Sequence, residues 1–495
     1  MKKLLAALMT AALTLTAGVA LAQPKDRVVI GASLEPPVLD PGLNPAAGIR
    51  EITYQNVYEG LTRIDRSGKI VAGLAESWTV SPDGKAYTYK LRSGVKFHNG
   101  EPLTAETVKF SLERLFGPDT KVVGKALYTS IERVEVVDAS TVKISLKQPD
   151  IFLLFNLSIG DAVIVEPKSA ATNGVTPIGT GPFMFKERKQ GDSVTLVKAP
   201  TYRNPSAIKL NTIVFKFISD SSAQINALLA GDIDAFPGFQ APELVEKLKS
   251  DPRFVVVPGF TQGEVILATN NGTEANKRPM SNLKVRQAIA HAIDRKELIQ
   301  AEFGFGVPIG SFFPPSDPDY VDLTGTYKLD LVAAKKLLAE AGYPNGFEAT
   351  LKLPDVGYAK RAGEVMVSQL GKIGIKLQVT VMKFPQWLQE VFKDRNYDFT
   401  IVAHTEAFDL DRYTRDYYWN YVSQPFKDGY AELTKELDPA KRKVLSQKLQ
   451  KMIADDAVNG YLFELAKIGV WNKNLVGMWE NSPTPSVDMS EVHWK

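Results

Sequence analysis

The residues best suited to chemistry in this chain form one short run, His404-Thr405-Glu406-Ala407-Phe408-Asp409-Leu410-Asp411-Arg412-Tyr413, directly after an apolar stretch that ends at Ala403. Three acids stand among aromatic side chains there, and Tyr417, Tyr418, Trp419 and Tyr421 follow closely. Carboxylates beside π faces suit an amine or another cation, held by charge-assisted hydrogen bonds and ring faces. A solvated acidic turn lying over a packed aromatic cluster would have the same composition. His404, Thr405, Glu406, Phe408 and Asp409 are therefore candidate ligand-binding residues, with both readings open.

Catalysis finds little support. The chain has no Gly-x-Ser-x-Gly, His-Glu-x-x-His, Walker loop or dinucleotide fingerprint, and its histidines are His98, His291, His404 and His493. It has no cysteine, which excludes disulfides, thiolate metal sites and a cysteine nucleophile. A hydrolase working through paired carboxylates stays open, because 56 acidic residues allow many pairings. No catalytic residue, metal ligand or cofactor is assigned.

Several packed units are expected, because 495 residues are too many for one core. A hydrophobic fraction of 44% with 23% charged residues supports globular folding. Lys2-Lys3, the apolar run from Leu4 to Val19 and the small-residue pattern Ala20-Leu21-Ala22 have the three parts of a secretory signal peptide, so cleavage is expected after Ala22. A membrane anchor is the alternative, but the run is short for a span of about 20 residues. Without Lys2 and Lys3 the balance is 57 basic to 56 acidic residues, about +1, which is not a nucleic-acid binder's charge.

The elements that must position the candidates come next. Ser77–Val80 and Ala86–Leu91 are rich in aromatic and β-branched residues, and Pro82-Asp83-Gly84 supplies the reversal of a hairpin. Val95-Lys96-Phe97 alternates towards a second turn at Asn99-Gly100. Thr104 reads as a helix N-cap with Glu106 in the first turn, and Val108, Leu112 and Leu115 mark the buried face. Val134–Val137 and Thr141–Leu146 make another strand pair. Two glycines and two prolines in Pro177-Ile178-Gly179-Thr180-Gly181-Pro182-Phe183 force an irregular backbone. A phosphate loop would need Gly-Lys-Ser/Thr after it, and none follows. Ile52 to Tyr58 reads as a helix, Leu283 to Phe303 as one long amphipathic helix holding His291, and residues 331–470 alternate helix and strand. That alternation argues for an α/β lobe with parallel neighbours, whose ligands bind beyond the carboxyl ends of strands.

Leu74-Ala75-Glu76-Ser77-Trp78, Pro82-Asp83-Gly84-Lys85, Gly94-Val95-Lys96-Phe97, Asn99 to Glu106 and Val108-Lys109-Phe110-Ser111 form a dense string. It resembles the signature of family 5 of the bacterial extracytoplasmic solute-binding proteins, which deliver peptides, nickel and related solutes to ABC importers. Asn56-Val57-Tyr58-Glu59-Gly60-Leu61, Gly179-Thr180-Gly181-Pro182-Phe183 and Asp232-Ile233-Asp234-Ala235 are similar to further hallmarks.

The resemblance implies a two-lobed periplasmic-binding-protein α/β fold with an extra domain, three in all. Domain I would hold residues 23–57, 178–266 and 472–495, domain II 58–177 and domain III 267–471. It implies a monomeric periplasmic receptor, not lipidated since no cysteine is present, which hands a small peptide-like or amine-bearing solute to membrane permease subunits. It also implies that the loop from Asn44 to Ile49 lines the cleft, that Trp387 stands where relatives carry a pocket Trp, and that His404 falls near a pocket Trp of peptide binders; an ordinary surface loop at 44–49 and a core Trp at 387 are the other readings. An Asp one to three residues on holds the ligand's amine in those proteins, and the nearest match here is Glu406, or Ala407 if no gap is opened. The Arg that dipeptide binders use for the ligand's carboxylate has no counterpart in Pro354-Asp355-Val356-Gly357-Tyr358, which speaks against a plain dipeptide. Nickel-chelate, opine or sugar receptors belong to the same family, and one imidazole without thiols makes a poor site for a bare metal ion. A periplasmic hydrolase or sensor on the same fold is the remaining alternative.

Overall fold

Two long strands, Phe254–Thr269 and Gly460–Asn472, organise the tertiary structure. They pair antiparallel from Phe254 opposite Asn472 to Leu267 opposite Gly460, with register breaks between Phe260 and Glu264 and between Val265 and Ile266. The structure is a computed structural model that describes residues 25–239, 241–272, 277–405 and 409–495, with Asp409 described by its backbone. The expected signal peptide, Glu406 and Phe408 lie outside the described residues, as does the side chain of Asp409.

The paired strands belong to a mixed sheet of eleven strands that runs through both lobes. At one end Ala235–Phe239 adds to Gly460–Asn472, and Arg27–Ala32, Thr212–Phe217, Ser193–Lys198 and Phe183–Lys189 follow in that order. At the other end Phe399–His404 pairs with residues 264–269, and Glu348–Pro354 and Lys376–Met382 complete the sheet as parallel neighbours. The first lobe buries Val28, Ile30, Leu196 and Phe215 in its core, whereas the second buries Leu267, Leu351, Phe399 and Ile401. Each lobe thus has its own interior, and the long strands pass between them.

The hairpin residues Ala75–Val80 and Ala86–Leu91 join Thr141–Leu146 and Ile131–Asp138 in a four-stranded antiparallel sheet. The helix Ala105–Phe116 packs on this sheet through Val108, Leu112 and Leu115. Thr104 caps it as expected, within a reciprocal box: the Thr107 N–H donates to Thr104 Oγ1 at 3.2 Å and the Thr104 N–H to Thr107 Oγ1 at 3.0 Å. Residues 95–97 contribute only an isolated bridge from Lys96 to Pro102. Gly179 and Gly181 touch the chain after the first helix so closely that a Cβ on either would stand 2.0 Å from the Val57 carbonyl oxygen or 2.3 Å from that of Asn56. This explains why that stretch carries glycines.

Two helices differ from their expected shape. The expected helix over 52–58 is Ala47–Thr53, one turn earlier, because Asn44 Oδ1 accepts the Ala46 N–H at 3.0 Å and turns the chain into it. The expected helix over 283–303 breaks at Ile293 into Leu283–Ala292 and Arg295–Ala301, because the Asp294 carboxylate caps the second piece at Lys296 and Glu297. In the Lys376–Met382 strand Val379 and Val381 share one face as expected, yet both are exposed because the strand is the edge of the sheet.

Candidate functional site

A cavity of about 460 Å³ lies between the lobes. The paired long strands supply Thr261 and residues 465–468 to it. The first lobe contributes the carboxyl end of Arg27–Ala32, residues 236–239 of a neighbouring strand, and Ala47, Gly48, Glu51 and Ile52 of the first helix. From the second lobe come Glu302, Phe305, and the start of the helix Gly357–Gly371 with Arg361 in its second turn. Strand ends and helix starts therefore face the space, the arrangement an α/β sheet gives its ligands.

Four charged side chains line this mostly apolar cavity, Glu51, Glu302, Arg361 and Lys467. Glu302, buried at the end of the Arg295–Ala301 helix, receives Arg361 Nε at 3.0 Å and Nη2 at 2.5 Å, a two-pronged pair that sets the plane of the guanidinium. Arg361 Nη1, which takes no part in the Glu302 pair, lies 3.7 Å from Glu243 of the first lobe, so the guanidinium reaches from one lobe to the other. Gly357 makes room for it, since a Cβ there would stand 3.0 Å from Nη1. Lys467 Nζ donates to the carbonyls of Trp479 at 2.8 Å and Asn481 at 3.5 Å. Burial pulls Lys467 down to about 8, partly opposed by Glu51, and burial pushes the Glu51 carboxyl up, partly opposed by Lys467. The Tyr358 hydroxyl accepts the Ala403 N–H at 3.0 Å, tying the wall to the end of the Phe399–His404 strand.

The sequence candidates sit elsewhere or at the margin. Asn44 lies in the turn before the first helix and Ile49 is fully buried, and neither is among the lining residues although Ala47 and Gly48 between them are. Trp387 is buried with its Nε1–H donating to Thr400 Oγ1 at 2.8 Å and its ring stacked on Phe384 at 5.5 Å. His404 is buried too: Nδ1 accepts from Arg412 Nη1, and Nε2 stands 3.1 Å from the Tyr418 hydroxyl. Burial and the adjacent guanidinium hold this imidazole far below its usual pKa, in the neutral form. The structure brings Trp387 and His404 together, both against Tyr418, inside an aromatic core of the second lobe. Thr405 is exposed at the end of the strand. The aromatic cluster read from 413–421 is real and packed.

Sequence reasoning missed Glu51, Glu302, Arg361 and Lys467. Arg361 stands three residues beyond the segment searched for a carboxylate-binding arginine, and the amphipathic spacing of its helix was the available signal. Lys467 and Glu464 are the two charged residues of a mostly apolar strand, and a charge in such a strand marks a position that must find a polar partner. Among the described residues, no group of three or more His, Cys, Asp or Glu side chains is arranged to hold a metal ion.

The cleft architecture has counterparts. The chain is 29% identical over 456 residues to the glutathione-binding protein GsiB of Escherichia coli strain K12, covering 87% of this chain and 88% of that one. Among solved structures it is similar to AgaA of Agrobacterium tumefaciens R10 in complex with agropinic acid, with 28% identity, a TM-score of 0.76 and coverage of 95% and 99% of the two chains. DppA of Helicobacter pylori in complex with the peptide STSA gives 25% identity, a TM-score of 0.75 and coverage of 95% and 98%. All three are binding proteins. The model of the bacterial extracellular solute-binding proteins, family 5 middle region, matches residues 69–424. With that match over most of its length, and a two-lobed fold whose walls meet around a cavity, the chain belongs to the family 5 bacterial extracellular solute-binding proteins.

Proposed function

We propose that the chain is the periplasmic receptor of an ABC importer, which traps a small solute between its lobes and releases it unchanged to the permease subunits of the inner membrane. The observation that carries this reading is the cavity itself, walled by both lobes and crossed by the strands that join them. A solute touching both walls stabilises the closed arrangement over the open one by whatever it gains from the second wall, which is how a ligand drives hinge closure. The closed form is what the permease recognises. The solute is peptide-like or otherwise amine-bearing, and its carboxylate meets Arg361 Nη1. The similar proteins named for glutathione, a peptide and agropinic acid support a solute of this kind.

The proposed division is domain I at 23–57, 178–266 and 472–495, domain II at 58–177 and domain III at 267–471; separate apolar cores around Phe215, Tyr89 and Phe399 favour it. The receptor is a monomer, secreted by cleavage after Ala22, free in the periplasm and without catalytic activity. Incubation with glutathione, Met-Leu, the peptide Ser-Thr-Ser-Ala and agropinic acid tests the function: one solute at about 100 times its Kd adds about 2.7 kcal/mol to stability and raises the melting temperature. Mass spectrometry then finds that solute intact. Turnover, or a scattering profile identical with and without the stabilising solute, would refute a receptor that closes on an unaltered guest. Glu406→Gln with Asp409→Asn tests the remaining loop, which takes no part if affinity changes by less than about twofold.

A further inference from the structure

Of the four charges in the cavity, three have protein partners, although Arg361 spends only Nε and Nη2 on Glu302 and keeps the Nη1 donors for a further acceptor. Glu302 is satisfied by Arg361, and the Lys467 ammonium donates to two backbone carbonyls. Glu51 is different. Its carboxylate accepts no hydrogen bond and joins no ion pair among the described residues, and the cation that bears on it most is Lys467, which lines the same cavity. The side chain leaves the Ala47–Thr53 helix on the face shared by Ala47, Gly48 and Ile52, and the opposite face is spent on the core through Ile49 and on the Arg50–Asp161 pair. Nothing in the helix requires an acid there: Glu51 lies in its second half, where the dipole favours a cation.

We propose that Glu51 is the specificity-determining residue for the solute's ammonium group, which docks on the first-lobe wall while the solute's carboxylate reaches Arg361 on the second. A carboxylate accepts only, so the complementary group must donate, and a charged N–H donor repays the burial of the acid better than a neutral one. Opposite charges on opposing walls also make a zwitterion the solute that pulls the lobes together. Lys467, an ammonium in the same cavity, disfavours a solute that brings a second ammonium beside it. This inference rests on the receptor reading of the cavity, and it assigns the amine to the first lobe instead of the 406–409 loop.

The test uses the full mature chain and two equimolar probe mixtures, natural dipeptides with a free amine and the same dipeptides N-acetylated, read by native mass spectrometry and by melting temperature. The wild type is expected to retain free-amine dipeptides and to bind the acetylated set about tenfold or more weaker. Glu51→Gln, which keeps the shape and an acceptor, is expected to erase that preference, each ligand-induced shift being referred to the variant's own unliganded melting temperature. Glu406→Gln with Asp409→Asn is expected to keep it. Gly238→Leu adds a bulky side chain to the cavity lining at a position where nothing lies within 4 Å of a Cβ, and is expected to weaken binding of both mixtures. Equal binding of the two sets by the wild type, no binding of any free-amine dipeptide, or a preference that survives Glu51→Gln overturns the assignment. A preference lost only in the 406/409 variant moves the amine to that loop and also overturns it. Binding unaffected by Gly238→Leu overturns the cavity reading itself, whatever Glu51 does.

Discussion

Replacing Arg361 by Met isolates the pair that shapes the second-lobe wall. Methionine keeps the apolar stem but withdraws two donors from Glu302, whose side chain is 4% exposed, and leaves that carboxylate buried without its cation. Breaking a buried pair from one side costs about 3–5 kcal/mol, and the 24% exposure of the arginine side chain, which lets water follow, puts the expectation near the lower end. The double variant Arg361→Met with Glu302→Gln removes the stranded charge and is expected to recover about half of the loss. Because a chain of several units does not unfold in one step, global denaturation is the wrong assay. Amide hydrogen exchange is local. Peptides covering 295–305 and 357–365 are expected to exchange on the order of 100-fold faster in Arg361→Met, with strands 183–198 unchanged, and much of that protection is expected to return in the double variant. If the single and double variants exchange alike, or if Arg361→Met leaves both segments protected, the pair is not what holds these two helices together and the argument for a fixed guanidinium fails.

Three further outcomes are expected. Burial raises Glu464, 2% exposed on the long strand, from 4.5 to about 7, and Ser316 offsets this only in part. The folded state therefore holds its proton to higher pH than the unfolded chain, so this residue's contribution falls as pH rises from about 4.5 to about 7; Glu464→Gln should be more stable than the parent by about 3 kcal/mol at pH 8 and nearly equal at pH 4, read by local exchange of residues 460–467. Thr104→Ala removes an N-cap acceptor and should cost about 1 kcal/mol in the 58–177 unit, with Thr104→Ser restoring it, measured by exchange in helix 105–116. Gly84, at φ +68°, carries the hairpin turn against the second lobe, where a Cβ would stand 2.7 Å from Leu437 Cδ2. Gly84→Val should widen the molecule in solution scattering, and adding Leu437→Ala should reverse the widening while leaving a cost of about 1 kcal/mol for the backbone.

What could be read along the chain was local. The Pro82-Asp83-Gly84 turn, the Thr104 cap and the apolar positions Val108, Leu112 and Leu115 depend on residues within a few places of one another, and they fold where spacing put them. The α/β alternation over 331–470 and the glycines at 179 and 181 were legible for the same reason, although what the glycines make room for, the carbonyls of Asn56 and Val57, was not. The break at Ile293 was missed because the apolar period ran straight through it, and the Asp294 cap that wins there is a single side chain.

The cavity was decided by the tertiary structure alone. Glu51, Glu302, Arg361 and Lys467 come from four separate segments, and no spacing in the sequence relates them. The run at 404–413 drew attention by composition, yet composition cannot say which way a side chain faces: Arg412 and Tyr418 fold back over His404 and take it into the core. Periodicity tells a residue whether it has an inside. Which interior it joins, a packed core or the space between two lobes, is set by partners hundreds of residues away, and only folding brings them into reach.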